Sequence, residues 1–113
     1  MKREITLDEL VQRDPRYSKE AYHFVSDALE HTVSKLPERR HVTGQELSHG
    51  IREYALQEFG PLARDVLMSW GVKSTADFGE IVYNLIDIGV MGRTVEDRRE
   101  DFKNVYDLAA AFE

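Results

Sequence analysis

The sequence contains no cysteine and only three prolines among its 113 residues. Without thiols the chain has no disulfide scaffold, no cysteine nucleophile and no thiolate ligand for zinc. Its unbroken apolar runs are too short to form a membrane-spanning helix. The first residues also lack the apolar segment of a signal peptide, so we expect a cytoplasmic protein that contacts no membrane.

The chain does contain enough apolar residues for one folded core. Hydrophobic residues make up 42% of it and charged residues 32%, a balance that disfavours intrinsic disorder. Chains of about this length bury roughly 60–70% of their surface on folding, which suffices without a structural metal. We therefore predict a single domain over residues 1–113, made of an N-terminal helical pair (1–41) and a second portion (42–113).

The charge is distributed unevenly along the chain. The formal net charge is −6, yet residues 1–41 carry eight basic and eight acidic side chains. The whole acidic excess therefore lies in residues 42–113. This asymmetry disfavours nucleic-acid binding by the second portion, because affinity for phosphates depends on basic side chains.

Capping residues and apolar spacing predict five helices. A capping box is a Ser or Thr N-cap followed three residues later by Glu or a similar acceptor, and it satisfies free backbone amides. Such boxes begin at Thr6 and Thr43, and Ser18 and Ser74 are further N-cap residues. Apolar residues recur every three or four positions, which predicts helices within residues 6–13, 18–36, 43–59, 61–70 and 74–88.

The C-terminal residues allow two interpretations. Residues 90–108 are compatible with a β-hairpin, in which Phe102, Asn104, Tyr106 and Leu108 share one face of a strand. The same region fits a helix, because Phe102, Val105, Tyr106, Ala109 and Phe112 have helical spacing and alanine favours helices. We favour the hairpin and leave the helical alternative open. After a strand, Asp107 is a candidate N-cap for a short final helix.

The order of elements predicts a mainly α fold: two N-terminal helices on a helix-turn-helix core, with a C-terminal β-hairpin that makes it winged-helix-like. Such folds often bind DNA through a recognition helix. Here the candidate recognition helix, residues 75–88, carries no Lys or Arg. Its acidic face is more typical of a protein-interaction surface that meets a basic partner, and the candidate residues are Asp77, Glu80, Tyr83, Asn84 and Asp87.

The sequence contains few residue patterns that indicate catalysis or metal binding. His23, Asp27 and His31 stand at i, i+4 and i+8, a pattern that suits a divalent metal but also describes an ordinary solvated helix face. Ser48 and His49 are neighbours in sequence and therefore do not face each other on a helix. Since no nucleophile elbow or phosphate-binding glycine motif is present, we expect no cofactor and favour a non-catalytic protein.

Several motifs resemble a small uncharacterised bacterial family, the conserved hypothetical proteins of planctomycetes, verrucomicrobia and related phyla. The motifs include Asp14-Pro15-Arg16-Tyr17 and Trp70-Gly71. The likeness continues through residues 20–22, 24–25, 27–29, 41–47, 50–52, 54–55, 59–61, 78–82, 84–85, 99–102 and 105–107. The resemblance implies a free-standing cytoplasmic protein and no assigned activity. It does not include His23 or His31, which weakens the metal interpretation.

Two polar residues in the segment 41–47 are not explained by helix capping. Thr43 and Glu46 belong to the capping box, whereas His41 and Gln45 are left as candidate ligand-binding or interaction residues. We therefore predict a non-catalytic interaction or regulatory module that binds a protein partner or a second copy of itself. Two alternatives stay open, a winged-helix nucleic-acid-binding protein and a metal-binding helical protein that uses His23, Asp27 and His31.

Overall fold

The computed structural model describes residues 5–91 and 99–112. The elements are α1 (Leu7–Arg13), α2 (Lys19–Ser34), α3 (Gly44–Phe59), a 3₁₀ turn (Gly60–Leu62), α4 (Ala63–Ser69), α5 (Thr75–Asp87), a second 3₁₀ turn (Arg99–Phe102) and α6 (Leu108–Ala111). The prediction of a mainly α fold is confirmed. Within the described residues no helix is long and apolar enough to cross a membrane.

The predicted β-hairpin is wrong where the structure can test it. No β-strand occurs in residues 5–91 or 99–112. Over the proposed second strand, residues 102–108, the chain instead leaves a 3₁₀ turn at Arg99–Phe102 and enters the short helix α6, of which Asp107 is the N-cap. Residues 92–98, which include most of the proposed first strand and part of the proposed connection, lie outside the described part of the chain. The alternation of Phe102, Asn104, Tyr106 and Leu108 does not reflect a strand, because Phe102 is buried by packing against other helices and not by pairing with a neighbouring strand.

Capping determines most of the helix starts. The boxes at Thr6, Thr43 and Ser74 are all formed, with the side chains of Glu9, Glu46 and Asp77 returning to the N-cap amides. Ser18 occupies the N-cap of α2 as predicted, but its side chain makes no capping hydrogen bond. Local sequence therefore predicts these boundaries well, because a capping box needs only residues three positions apart.

The core is a single cluster that joins both portions of the chain, from Leu10 to Phe112. Helices α2 and α3 pack closely where Gly50 meets Thr32. The ring of Phe102 is fully buried between Gly44 on α3 and Gly79 on α5. A methyl group added at Gly79 would come within 2.9 Å of the Phe102 ring, so the close approach depends on glycine.

Helix α5 packs against α2, α3 and the 3₁₀ turn Arg99–Phe102. Six of its 13 residues are buried, six are half-buried and only Asp87 is exposed. A DNA-recognition helix presents an open solvent-facing surface to a groove, whereas the polar face of α5 is partly covered by other residues of the chain.

Candidate functional site

The segment between α1 and α2 lies across the polar face of α5. The guanidinium of Arg16 donates to both carboxylate oxygens of Asp14, at 2.8 and 2.7 Å, and to Glu80 at 3.3 Å. Arg99 donates to the other oxygen of Glu80 at 3.0 Å. Glu80 therefore sits between two arginines of its own chain.

Hydrogen bonds extend this contact along α5. The side-chain amide of Asn84 donates to Asp14 at 3.0 Å and to the Tyr22 hydroxyl at 3.1 Å. The Tyr17 hydroxyl donates to Asp77. Hydrogen bonds from Arg16 hold the pKa of Asp14 well below its usual range, and burial raises the pKa of Tyr17. The network therefore stabilises the charged form of the Asp14 carboxylate and the neutral form of the Tyr17 hydroxyl.

The predicted interaction residues of α5 are accordingly engaged within the chain. Asp77, Glu80 and Asn84 take part in the network, and the guanidinium of Arg99 lies 4.7 Å from the centre of the Tyr83 ring. Asp87 alone is exposed. The basic surface expected of a partner protein is provided here by Arg16 and Arg99, an arrangement that sequence spacing cannot indicate because Arg16 and Glu80 are 64 residues apart.

The segment around His41 is organised by capping and one ion pair. Arg40 binds Glu46 through two hydrogen bonds of 3.0 and 2.7 Å, and it also donates to the His41 carbonyl at 2.9 Å. Arg40, together with the Thr43 backbone amide, lowers the pKa of Glu46 to about 2. Gln45 reaches Asp101 at 3.5 Å, and the His41 side chain is exposed. These contacts stabilise the start of α3.

The three candidate metal ligands are not arranged around a common point. Among the described residues, no group of three or more His, Asp or Glu side chains is placed to hold a metal ion. His23 and Asp27 are exposed, whereas His31 turns towards α3 and lies 3.4 Å from Glu53. Glu53 on α3 also pairs with Lys35 at the end of α2, so His31 and Lys35 both link α2 to α3.

Four aromatic rings meet where α2 begins and where α3 and α4 end. The Phe24 ring centre lies 5.2 Å from that of Tyr54, 5.5 Å from Phe59 and 5.5 Å from Trp70, and Phe59 lies 5.7 Å from Trp70. Phe24 is buried, while the other three rings are half-buried. We call these four residues the aromatic surface. Phe24 thereby joins α2 to the second portion of the chain.

Two carboxylates flank the aromatic surface. Burial raises the pKa of the Tyr54 hydroxyl, and the negative charges of Glu58 and Asp27 raise it further. Both carboxylates are exposed. The sequence predicts ordinary core positions for Tyr54, Phe59 and Trp70. Only the packing of α2 on α3 brings the negative charge of Asp27 near the Tyr54 hydroxyl.

Comparison of the chain with protein-family models, with curated proteins and with solved structures finds no match in any of the three. The resemblance to the bacterial family thus stays a prediction.

Proposed function

We propose that the protein is a non-catalytic interaction module that docks a basic segment of a partner protein on the aromatic surface. The observation that carries this proposal is a cluster of aromatic rings, three of them half-buried, with two exposed carboxylates, Asp27 and Glu58, near Tyr54. The net charge of −6 favours the approach of a positively charged partner.

The chemistry of such a surface suits arginine or lysine side chains. Cations bind over aromatic faces within about 6 Å of the ring centre, and Trp and Tyr often dominate the binding energy of protein interfaces. The carboxylates add charge-assisted hydrogen bonds at the edge of the rings. Leu62, at 61% exposure, precedes Val66 and Trp70 by four and eight residues and so extends the apolar area along one side of α4.

The two alternatives receive less support from the same contacts. A nucleic-acid-binding function would need a basic exposed helix face, whereas the polar face of α5 is partly covered and its neighbouring arginines bind Glu80. A metal-binding function would need converging ligands, which the residues of the described segments do not form. Interaction with protein is therefore the function that the geometry favours.

Trp70 provides a direct test because it is the only tryptophan of the chain. Its fluorescence is followed during titration with a short synthetic peptide of arginine and leucine, and with a matched peptide of glutamate and leucine. We expect a saturable change with the arginine peptide alone. The double variant Asp27→Asn/Glu58→Gln should weaken this binding at least about fivefold, since two charge-assisted contacts are lost.

The matched control is Asp87→Asn, which removes an exposed carboxylate from the far end of α5 and should leave the titration unchanged. Equal binding of both peptides would show that their leucine residues and not the recognition of positive charge are responsible. An equal loss in the Asp87→Asn control would show that general charge attraction is responsible and not the aromatic surface. Absence of any saturable change would overturn the proposed docking of basic segments.

A further inference from the structure

A separate cleft lies between α3 and the C-terminal residues. It has a volume of about 390 Å³ and is lined by His49, Arg52, Tyr106, Asp107, Ala110 and Ala111. Clefts of about 300–1,000 Å³ are of the size that binds small molecules. None of these residues belongs to the aromatic surface, so this cleft and the proposed docking surface are independent.

Two walls of the cleft are held in place by hydrogen bonds to the backbone. The Tyr106 hydroxyl donates to the Ser48 carbonyl at 2.8 Å, which positions the ring as an apolar wall. The Nε of Arg52 donates to the Ala111 carbonyl at 2.8 Å. Among the residues that the structure describes, the two terminal amino groups of this guanidinium form no hydrogen bond, and as a planar pair they match a carboxylate.

The cleft also holds one charge of each sign. Arg52 and Asp107 both line it, yet no ion pair joins them in the described residues. Opposite charges that share a cleft without pairing are complementary to a ligand that carries both charges itself. The apolar wall of Tyr106, Ala110 and Ala111 provides contact area for an aliphatic group between them.

We propose that this cleft binds a free α-amino acid with an aliphatic side chain. The carboxylate of the ligand binds the Arg52 guanidinium, its ammonium group binds Asp107, and its side chain lies against the Tyr106 ring. His49, whose ring centre is 5.7 Å from that of Tyr106, forms the adjoining edge of the site.

The probe is L-leucine, titrated into the full-length protein while the ring signals of Tyr106 are followed by NMR. Isocaproate lacks the ammonium group and isoamylamine lacks the carboxylate, so each retains only one of the two ionic contacts. We expect leucine to bind at least about tenfold more tightly than either analogue, because a hydrogen bond to a charged group contributes about 1.5–3 kcal/mol. Equal affinity for isocaproate and leucine would overturn the proposal in favour of a simple anion site.

Two variants separate the roles of the charges. Asp107→Asn should lose the preference for leucine over isocaproate while still binding both, and Arg52→Gln should weaken both ligands at least about tenfold. The matched control is Arg64→Gln, an exposed arginine on α4 that should bind leucine as the wild type does. If leucine causes no saturable shift at Tyr106, or if Arg64→Gln weakens it as much as Arg52→Gln, the cleft is not an amino-acid site. Either failure leaves the proposed peptide docking untouched, since that is read at Trp70.

Discussion

The packing of Phe102 between two glycines yields a quantitative prediction. The Phe102 side chain is completely buried, and truncation of a buried phenylalanine typically costs about 3–5 kcal/mol in unfolding free energy. We therefore expect Phe102→Ala to destabilise the protein by about this amount. If Phe102→Ala leaves too little folded protein, Phe102→Leu can replace it, because it also shortens the buried side chain but removes less volume.

Gly79→Ala should have opposite effects in the two backgrounds. In the wild type the added methyl group would lie 2.9 Å from the Phe102 ring, and overpacking of this kind costs about 1–3 kcal/mol. With Phe102 truncated the steric conflict is gone, so the intrinsic preference of helices for alanine over glycine, about 1 kcal/mol, becomes visible. The double-mutant cycle should therefore give a favourable coupling energy of about 1–3 kcal/mol.

The assay is urea unfolding followed by far-ultraviolet circular dichroism, with the four proteins of the cycle compared at one pH. The control is Gly50→Ala, whose methyl group meets Thr32 on α2 and not Phe102. Its effect should be additive with Phe102→Ala to within about 0.5 kcal/mol. Should Gly79→Ala destabilise both backgrounds equally, the ring of Phe102 would not lie against α5 as described.

Three further outcomes follow from single contacts. Because Arg16 holds the pKa of Asp14 low in the folded state, this carboxylate stabilises the folded protein above about pH 4, and this stability is lost as the pH falls. When urea unfolding is measured at several acidic pH values, the free energy of unfolding should therefore depend less on pH in Asp14→Asn than in the wild type. Ser48→Ala should leave the thermal midpoint unchanged or raise it, since the buried Ser48 hydroxyl has no hydrogen-bond partner among the described residues, and a lower midpoint would contradict this. Gly71→Ala should lower the free energy of unfolding, measured by chemical denaturation, by about 1–3 kcal/mol, because Gly71 has a φ of 100° and lies against the Arg16 carbonyl. A smaller loss of stability than that caused by Ser69→Ala would refute this expectation.

For the candidate residues on α5, the sequence predicts the helix face that they share but not the residues that cover it. The spacing of Asp77, Glu80 and Asn84 correctly places them on one polar helix face, because helical periodicity is a local property. Periodicity does not indicate what covers that face. The covering residues, Asp14 and Arg16, belong to a segment more than 60 residues away in sequence, and only the folded chain brings them together.

The sequence by itself determined the helical class, the capped helix starts at Thr6, Thr43 and Ser74, and the acidic excess of the second portion. These properties depend on composition or on residues within one or two helical turns of each other. The tertiary structure alone decided that Arg16 and Arg99 neutralise Glu80, that Phe102 is packed against α5 instead of forming a strand, and that Asp27 stands beside the aromatic surface. Each of these depends on contacts between distant segments, whose pairing is set by the packing of the whole core.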